Sequence, residues 1–162
     1  MTSGDSGQTP SVGILSCADS RVPVEMIFDQ SVGDLFVVRV AGNFQDEGAV
    51  GTFEFGVAGL GVHTLMVLGH TQCGAANAAL QGATLPGSML AFVRAIRPAL
   101  EAAPGGIAAI KSLDEAAEIN VRWQMQQLLA RSEILRKARD EGRLQLLLGI
   151  YDVSTVMVRF LN

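Results

Sequence analysis

The sequence predicts an α/β domain in which a mostly parallel central β-sheet is flanked by helices. The first observation is that short apolar and β-branched runs alternate with stretches of helical pattern along the chain. The second is that these runs are almost continuously apolar, as parallel strands covered on both faces tend to be. The third is composition, since 162 residues that are 49% hydrophobic can bury the core of a single domain.

The first half of the chain contains three predicted strands, SVGILS (11–16), DLFVVRVAG (34–42) and HTLMVLGH (63–70). A short helix over VPVEMIFDQ has its proline in the first turn, where no backbone N–H is needed. The stretch from Asp46 to Leu60 opens with acidic residues that favour a helix N-terminus. Its glycines weaken a helix by about 1 kcal/mol each, so we attribute them to the close approach of another backbone.

The second half begins with a helix over GAANAALQG and continues with GSMLAFVRAIRPALEAA, which Pro98 is expected to kink or end. Residues 113–142 read as one long amphipathic stretch, acidic at its start and basic towards its end, that closes on Gly142 as a C-cap. RLQLLLGIYDV and TVMVRFL are terminal strands separated by a turn at Ser154. We therefore expect an N-terminal remnant over 1–10 and a single domain over 11–162.

Composition excludes several classes of function. The net charge of −4 and the pI near 5.1 argue against a nucleic-acid partner, which requires clustered Lys and Arg. Neither a signal peptide nor an apolar run of the ~18 residues that a membrane helix needs is visible, so we expect a cytoplasmic protein without a membrane partner. Two cysteines are too few for a disulfide scaffold. One structural disulfide stays open, but reactive or metal-bound thiols fit better.

Both cysteines lie at predicted strand ends beside a second type of metal ligand. Cys17 follows the first strand, and His70 ends the third strand with Cys73 three residues further on. Ligands of such a sheet gather at the carboxyl ends of its strands, so these three side chains are expected to converge. Two cysteines and one histidine form a known catalytic zinc set, whose fourth position is open to water or filled by a carboxylate.

Asp19 is the natural candidate for that carboxylate, and Arg21 is the natural partner to hold it away from the metal through a bidentate pair. Each signal alone is weak, because a lone buried cysteine is more often a small core residue and Asp-Ser suits an ordinary helix cap. His63, at a strand start, is interpreted as an ordinary surface or core residue. The run GVAGLG does not predict nucleotide binding, since its glycine order is wrong and no lysine follows.

The segments CADSRVP, GDLFVVRVAGN and GTFEFGVAGLGVHTLMVLGHTQCGA resemble the β-class carbonic anhydrases. The similarity runs from about Gln8 to the C-terminus and includes AIRPAL, NVRWQMQQL, SEIL and GIYDVST. The paired motifs C-x-D-x-R and H-x-x-C are highly specific to that family. The resemblance implies the β-carbonic-anhydrase fold and a zinc-dependent, reversible hydration of carbon dioxide to bicarbonate and a proton, by attack of zinc-bound hydroxide.

The same resemblance assigns roles to five residues around one zinc ion per chain. Cys17, His70 and Cys73 would bind the metal. Asp19 and Arg21 would form a catalytic dyad that leaves the fourth zinc position to water. In a closed state, Asp19 would swing onto the metal and fill that position itself.

Substrate-binding residues are also implied by the resemblance. Gln8 lies where plant-type members place a glutamine that hydrogen-bonds substrate, and Phe36 falls on a position that walls the carbon dioxide pocket. Phe55 would form another part of that wall, at a position that is often tyrosine, so any role for a phenol is lost. In many members these residues reach across a dimer interface, and the glycine-rich helix over 48–59 resembles the interface helix. A homodimer or a dimer of dimers is therefore implied.

Besides Phe55, two further departures from the family pattern modify these expectations. Members usually carry several dozen residues of helix before the glutamine, and that arm is missing here. Ile14 stands where members with a non-catalytic bicarbonate site carry tryptophan, so we expect the open subtype without bicarbonate regulation, although Arg39 fits either subtype. Two alternatives stay open: hydrolysis of carbonyl sulfide or carbon disulfide on the same scaffold, and a zinc-stabilised module without turnover.

Overall fold

Within residues 7–162, which the computed structural model describes, a sheet of five strands forms the centre of the protein. The strands are β1 Val12–Cys17, β2 Leu35–Val40, β3 Thr64–His70, β4 Gln145–Asp152 and β5 Met157–Phe160. They lie in the order β2-β1-β3-β4-β5, with β1 to β4 parallel and β5 antiparallel to β4. The predicted fold class is confirmed. Residues 1–6 of the expected N-terminal remnant lie outside the described residues.

Helices connect the parallel strands. They are α1 Val24–Ile27, α2 Glu47–Gly59, α3 Gly74–Gln81, α4 Leu90–Ala102, α5 Leu113–Arg131 and α6 Glu133–Asp140. Of these, α2 and α5 pack on the sheet, and α3 and α4 pack against α5. Short polar residues set several of their starts, as the sequence pattern suggests. Asp46 accepts a hydrogen bond from the backbone N–H of Ala49, and Ser112 accepts one from that of Glu115. These caps satisfy N–H groups that have no partner inside the helix.

The prediction of one helical stretch over 113–142 was wrong in one respect, because the helix breaks at Ser132. Ser132 has extended backbone angles, its N–H closes α5 on the carbonyl of Leu128, and its hydroxyl caps α6 at the N–H of Leu135. The same hydroxyl donates to Glu54 Oε1 at 2.7 Å, which ties the break to α2. A buried serine that caps the next helix therefore outweighs continuity of the helical pattern. Gly142 does follow the end of α6 with a positive φ of 72°.

Pro98 lies inside α4 and does not end it, since the helix continues to Ala102. Proline removes one backbone hydrogen bond from a helix interior. On both sides of Pro98 the helix buries apolar side chains, including Ile96 and Leu100, which are fully buried. Tertiary packing of this face supports the helix where its own hydrogen bonding is interrupted.

The glycines of α2 were expected to allow another backbone to approach closely, and within the described residues they do not. A Cβ on Gly56 would lie 2.9 Å from the ring of Phe36, so the close neighbour there is a side chain. A Cβ on Gly51 would meet nothing within 4 Å inside residues 7–162. The small size of Gly51 is thus not explained by packing within one chain.

The two central strands β1 and β3 are buried on both faces, which explains why they are almost continuously apolar. On one face α2, α5 and α6 pack over a core that includes Leu15, Phe53, Val67, Val121 and Leu128. On the other face a smaller core includes Ile14, Val24, Met66, Leu68 and Tyr151. Alternate side chains of β1 and β3 point to opposite faces of the sheet. Because both faces are covered at these two strands, their last residues, Cys17 and His70, are buried.

Among the described residues, no helix combines the length and the apolar composition that crossing a membrane would require.

Candidate metal centre

The two separated sequence motifs meet because β1 and β3 are neighbouring parallel strands. Ser16 of β1 is paired with Leu68 of β3, so Cys17 and His70 emerge side by side at the carboxyl edge. Cys73 stands at the N-cap of α3, three residues beyond His70. The side-chain ligand atoms of Cys17, His70 and Cys73 all lie within 4.8 Å of one another, and all three residues are buried. The convergence expected from the strand ends is present.

The orientation of His70 leaves one ring nitrogen free to bind a metal. Nδ1 lies 2.9 Å from the carbonyl oxygen of Thr71, to which it donates as an N–H. That bond leaves Nε2 as the nitrogen with the lone pair. Nε2 is fully buried and has no hydrogen-bond partner in residues 7–162. An orphaned buried nitrogen is costly unless something binds it, and it faces the same space as the two sulfur atoms.

The two sulfur atoms form a strongly coupled pair. Cys17 and Cys73 are both free thiols, so the structural disulfide that composition left open is not formed. A hydrogen bond from Cys73 holds the pKa of Cys17 well below its ordinary value, and the backbone N–H of Gly42 adds to this effect at 3.2 Å from Sγ. The same shared proton, together with burial, raises the pKa of Cys73. A divalent cation bound between the two sulfurs would replace this proton, because the thiolate is the metal-binding form of cysteine.

The donor set fits a zinc ion. In tetrahedral sites, zinc–sulfur bonds of about 2.3 Å place two thiolates roughly 3.8 Å apart. The 4.8 Å limit within which the three ligand atoms lie accommodates that spacing. Two thiolates and a neutral imidazole are soft and intermediate ligands, which zinc binds well. Magnesium and calcium prefer oxygen ligands.

Asp19 lies beside this group and is held by Arg21. The guanidinium makes two bonds to the carboxylate, Nε to Oδ1 at 2.9 Å and Nη2 to Oδ2 at 2.8 Å. The backbone N–H of Arg21 also donates to Oδ1 at 3.0 Å. Hydrogen bonding by Arg21 holds the pKa of the Asp19 carboxyl well below its usual range. Asp19 Oδ2 is 3.9 Å from Nε2 of His70, so the carboxylate is at the rim of the site.

Arg39 and Asp114 also contact the backbone around the site. From the sequence, Arg39 was linked only to bicarbonate regulation, and Asp114 was not identified. Arg39 donates from Nε to the carbonyl of Cys17 at 3.0 Å and from Nη2 to the carbonyl of Asp19 at 2.7 Å. Asp114 of α5 accepts from the backbone N–H of Gln72 at 3.2 Å. The polar positions were visible in the sequence, but their partners are distant along the chain and no local pattern indicates them.

The expected substrate-binding residues lie away from the candidate metal ligands of the same chain. Phe36 is paired with Gly13 in the sheet, whereas Cys17 is paired with Val40. Four residues of strand therefore separate Phe36 from the carboxyl edge, roughly 13 Å at about 3.3 Å per residue. Phe55 is 56% exposed on α2, with its ring centroid 6.2 Å from that of Phe36.

Gln8, His63 and Ile14 complete the set of positions singled out in the sequence. Gln8 is exposed and lies four residues before β1, a strand that begins at the edge of the sheet opposite the candidate metal ligands. His63 is exposed just before β3, a full strand length away from His70. Ile14 is buried in the core of the face opposite Leu15.

Comparison with known proteins agrees with the fold and with this site. The family model described as carbonic anhydrase matches residues 12–158. A carbonic anhydrase 2 of Mycobacterium tuberculosis is 40% identical over 153 residues, which cover 91% of this chain and 72% of that protein. A β-carbonic anhydrase of Aspergillus fumigatus superposes with a TM-score of 0.86 at 32% identity, over 96% of this chain and 77% of its own. One of two tetrameric β-carbonic anhydrases of Sordaria macrospora gives a TM-score of 0.87 at 25% identity, over 96% and 82%.

A mostly parallel α/β sheet that gathers a buried Cys-His-Cys group at its strand ends defines a class of metal-binding proteins. Within that class, the family match and the relatives place this chain plainly: it belongs to the carbonic anhydrase family, in its β class. The resemblance noted in the sequence is thereby confirmed, and with it the assignment to a family of enzymes.

Proposed function

We propose that this protein catalyses the reversible hydration of carbon dioxide to bicarbonate and a proton, with one zinc ion held by Cys17, His70 and Cys73. The observation that carries the proposal is the buried cluster of these three ligand atoms within 4.8 Å of one another, with the Asp19–Arg21 pair at its rim. A bound zinc ion lowers the pKa of a water ligand to about 7 in favourable sites, which supplies a nucleophile at neutral pH.

The protein's own contribution begins with the charge and orientation of the ligands. The two thiolates carry the negative charge that offsets a divalent cation, and the N–H of Gly42 stabilises the Cys17 sulfur. Thr71 fixes the tautomer of His70 by accepting its Nδ1–H at 2.9 Å. Arg39 stiffens the turn between the first cysteine and the dyad by binding the carbonyls of Cys17 and Asp19.

Asp19 would orient the attacking oxygen. Its carboxylate is ionised at physiological pH, and hydrogen bonding by Arg21 lowers its pKa further, so it can only accept hydrogen bonds. An oxygen that donates its hydrogen to Asp19 Oδ2 directs its lone pair elsewhere, towards the carbon of the substrate. Arg21 keeps this carboxylate from becoming the fourth metal ligand, because both of its oxygens are engaged by the guanidinium fork.

The substrate pocket would be completed by a second copy of the chain. Gln8, Phe36 and Phe55 are remote from the metal ligands of their own chain, at the amino side of the sheet. If they bind carbon dioxide, they do so for the site of a partner. The half-exposed ring of Phe55 and the unexplained small residue at Gly51 lie on the same helix and would suit such an interface. The Sordaria macrospora relatives are described as tetrameric, which supports a dimer of dimers over a lone homodimer.

Buried metal-binding thiols fit a reducing compartment, which supports a cytoplasmic location.

The function is tested by stopped-flow carbon dioxide hydration on purified protein whose zinc content has been measured, from pH 6.5 to 9. We expect about one zinc per chain and turnover that rises with pH around neutrality. Dialysis against a chelator should abolish turnover, and added zinc should restore it. The same preparation is assayed with carbonyl sulfide and carbon disulfide. Faster turnover of either would favour the hydrolase alternative, and bound zinc without any turnover would favour a non-catalytic module.

A pocket formed by two copies of the chain leads to a second prediction, which is tested by mixing two inactive variants. Cys73→Ser removes a metal ligand, and Gln8→Ala removes a donor whose loss is expected to cost about 100-fold in turnover. Co-expressed in equal amounts, the two chains should form mixed dimers in half of all cases, each with one complete site. The expected turnover is then about a quarter of the wild-type value. Turnover equal to the mean of the two parent variants would mean that Gln8 serves its own chain or neither.

A further inference from the structure

The loop that follows β2, residues 41–45, is the backbone that contacts the Cys17 sulfur. Gly42 donates its N–H to Cys17 Sγ at 3.2 Å. Gly42 has a φ of +79°, and a Cβ there would lie 2.5 Å from Cδ1 of Ile96 and 2.9 Å from Cβ of Ala75. Glycine is thus required for both the backbone conformation and the space. The direction of the N–H that reaches the sulfur depends on how this loop is held.

Two buried amide side chains on α5 hold the 41–45 loop. Asn120 donates from Nδ2 to the carbonyl oxygen of Gly42 at 2.9 Å. Gln124, one turn further along the helix, accepts the backbone N–H of Gln45 on its Oε1 at 3.1 Å. Gln124 also donates from Nε2 to Oδ1 of Asn120 at 2.9 Å and to the carbonyl of Ala95 at 3.2 Å.

This arrangement is more specific than core packing requires. Asn120 and Gln124 are each only 1% exposed, and burying an amide costs free energy unless it is fully hydrogen-bonded. Apolar residues would pack the same helix face without that cost. They would, however, leave the carbonyl of Gly42 and the N–H of Gln45 buried without these partners. The two amides therefore supply the hydrogen bonds that water would make to an exposed loop. The same loop donates a hydrogen bond to the sulfur of Cys17.

Gly42 is the direct link between the helix and the sulfur. Its carbonyl is held by Asn120 and its N–H is directed at Cys17, so a shift at one side of the residue is transmitted to the other. Groups that hydrogen-bond to metal ligands fix the ligands' orientation, and losing them typically costs 10- to 100-fold in metal affinity. Asn120 does not bond to Cys17 itself. It bonds to Gly42, and Gly42 donates the hydrogen bond to Cys17.

We propose that Asn120, supported by Gln124, is a positioning residue of the metal centre, which orients the Gly42 N–H towards Cys17 and thereby strengthens zinc binding. This inference rests on the zinc-binding part of the proposed function. Asn120 acts through Gly42 and has no contact with substrate in this role. Its effect should appear in metal affinity and in the spectrum of the metal–thiolate bond, before any measurement of turnover.

The test compares Asn120→Leu, which is close to asparagine in shape but cannot donate, with Val121→Ala on the next residue of α5. Val121 is fully buried against Gly69 of β3 and has no polar side-chain atom, so its truncation lowers stability while the bond from Asn120 to Gly42 stays in place. Zinc dissociation constants are measured by competition with a chromophoric chelator. Asn120→Leu should weaken zinc binding by about 10- to 100-fold, and Val121→Ala should change it by less than about twofold. After cobalt substitution, the thiolate-to-cobalt absorption band should shift in Asn120→Leu only.

A second variant covers the case in which Asn120→Leu does not fold. Gln124→Met keeps the shape of glutamine, removes the support of Asn120 and leaves the bond from Asn120 to Gly42 possible. We expect a smaller loss of zinc affinity, of about threefold to tenfold. Wild-type affinity and an unshifted cobalt band in a folded variant would overturn this inference alone. Wild-type protein that binds no zinc would overturn the proposed function as well.

Discussion

Replacing Cys73 with serine is expected to remove both zinc and turnover while the fold stays intact. A thiolate is the soft ligand that zinc selects, and a serine hydroxyl cannot supply its charge at neutral pH. With only Cys17 and His70 left from the cluster, we expect zinc content well below about one ion per chain after dialysis. Carbon dioxide hydration should fall by at least about a thousandfold, because the nucleophile depends on the metal.

The fold should tolerate this substitution for a local reason. Cys73 is the N-cap of α3 and makes no side-chain capping bond in the described structure. Serine is among the preferred N-cap residues, so the metal-free variant should melt at or above the temperature of metal-free wild-type protein. Asn77→Ala is the matched control, because it removes only a bond to Gln81 on the same helix. Full zinc content and full turnover in Cys73→Ser would show that the cluster is not the metal site.

Arg21→Ala is expected to abolish turnover while zinc stays bound. The guanidinium engages both oxygens of Asp19, at 2.9 Å and 2.8 Å, and without it the carboxylate is free to rotate. Asp19 Oδ2 is already only 3.9 Å from Nε2 of His70, so a small movement would bring it to the fourth metal position. A misplaced group in an active site can cost about 100-fold in rate, and we expect at least that loss.

Two further variants distinguish this gating role from a general effect of charge. Arg21→Lys keeps the charge but lacks the planar fork, so it should retain part of the turnover at most. Arg143→Ala removes an exposed arginine that pairs with Glu141. This pair lies just before β4, at the edge of the sheet opposite the candidate metal ligands, so turnover should be unchanged. Zinc content is measured in parallel for all three. Loss of zinc from Arg21→Ala, or turnover equal to wild type, would contradict the role assigned to the pair.

The elements that sequence reasoning predicted well are those whose signal is local. The runs that became β1 and β3 are apolar over their whole length and end at Cys17 and His70. The break at Ser132 was missed because the pattern of apolar residues continues across it, and the cap that causes the break also binds Glu54, far away in the chain. The glycines of α2 were expected to face another backbone, but a Cβ on Gly56 would meet the Phe36 side chain, and one on Gly51 would meet nothing within 4 Å among the described residues.

The sequence by itself predicted the fold class, the candidate metal ligands and the Asp19–Arg21 pair, because strand patterns and short motifs such as C-x-D-x-R and H-x-x-C are local signals. Only the tertiary structure decided that β1 and β3 are neighbours, so that the two motifs meet. It also decided that amides on α5 hold the loop beside Cys17, through a bond between residues 78 positions apart. Such contacts depend on how whole elements pack, and burial then makes their hydrogen bonds obligatory, because a polar group that leaves water must find its partner in the fold.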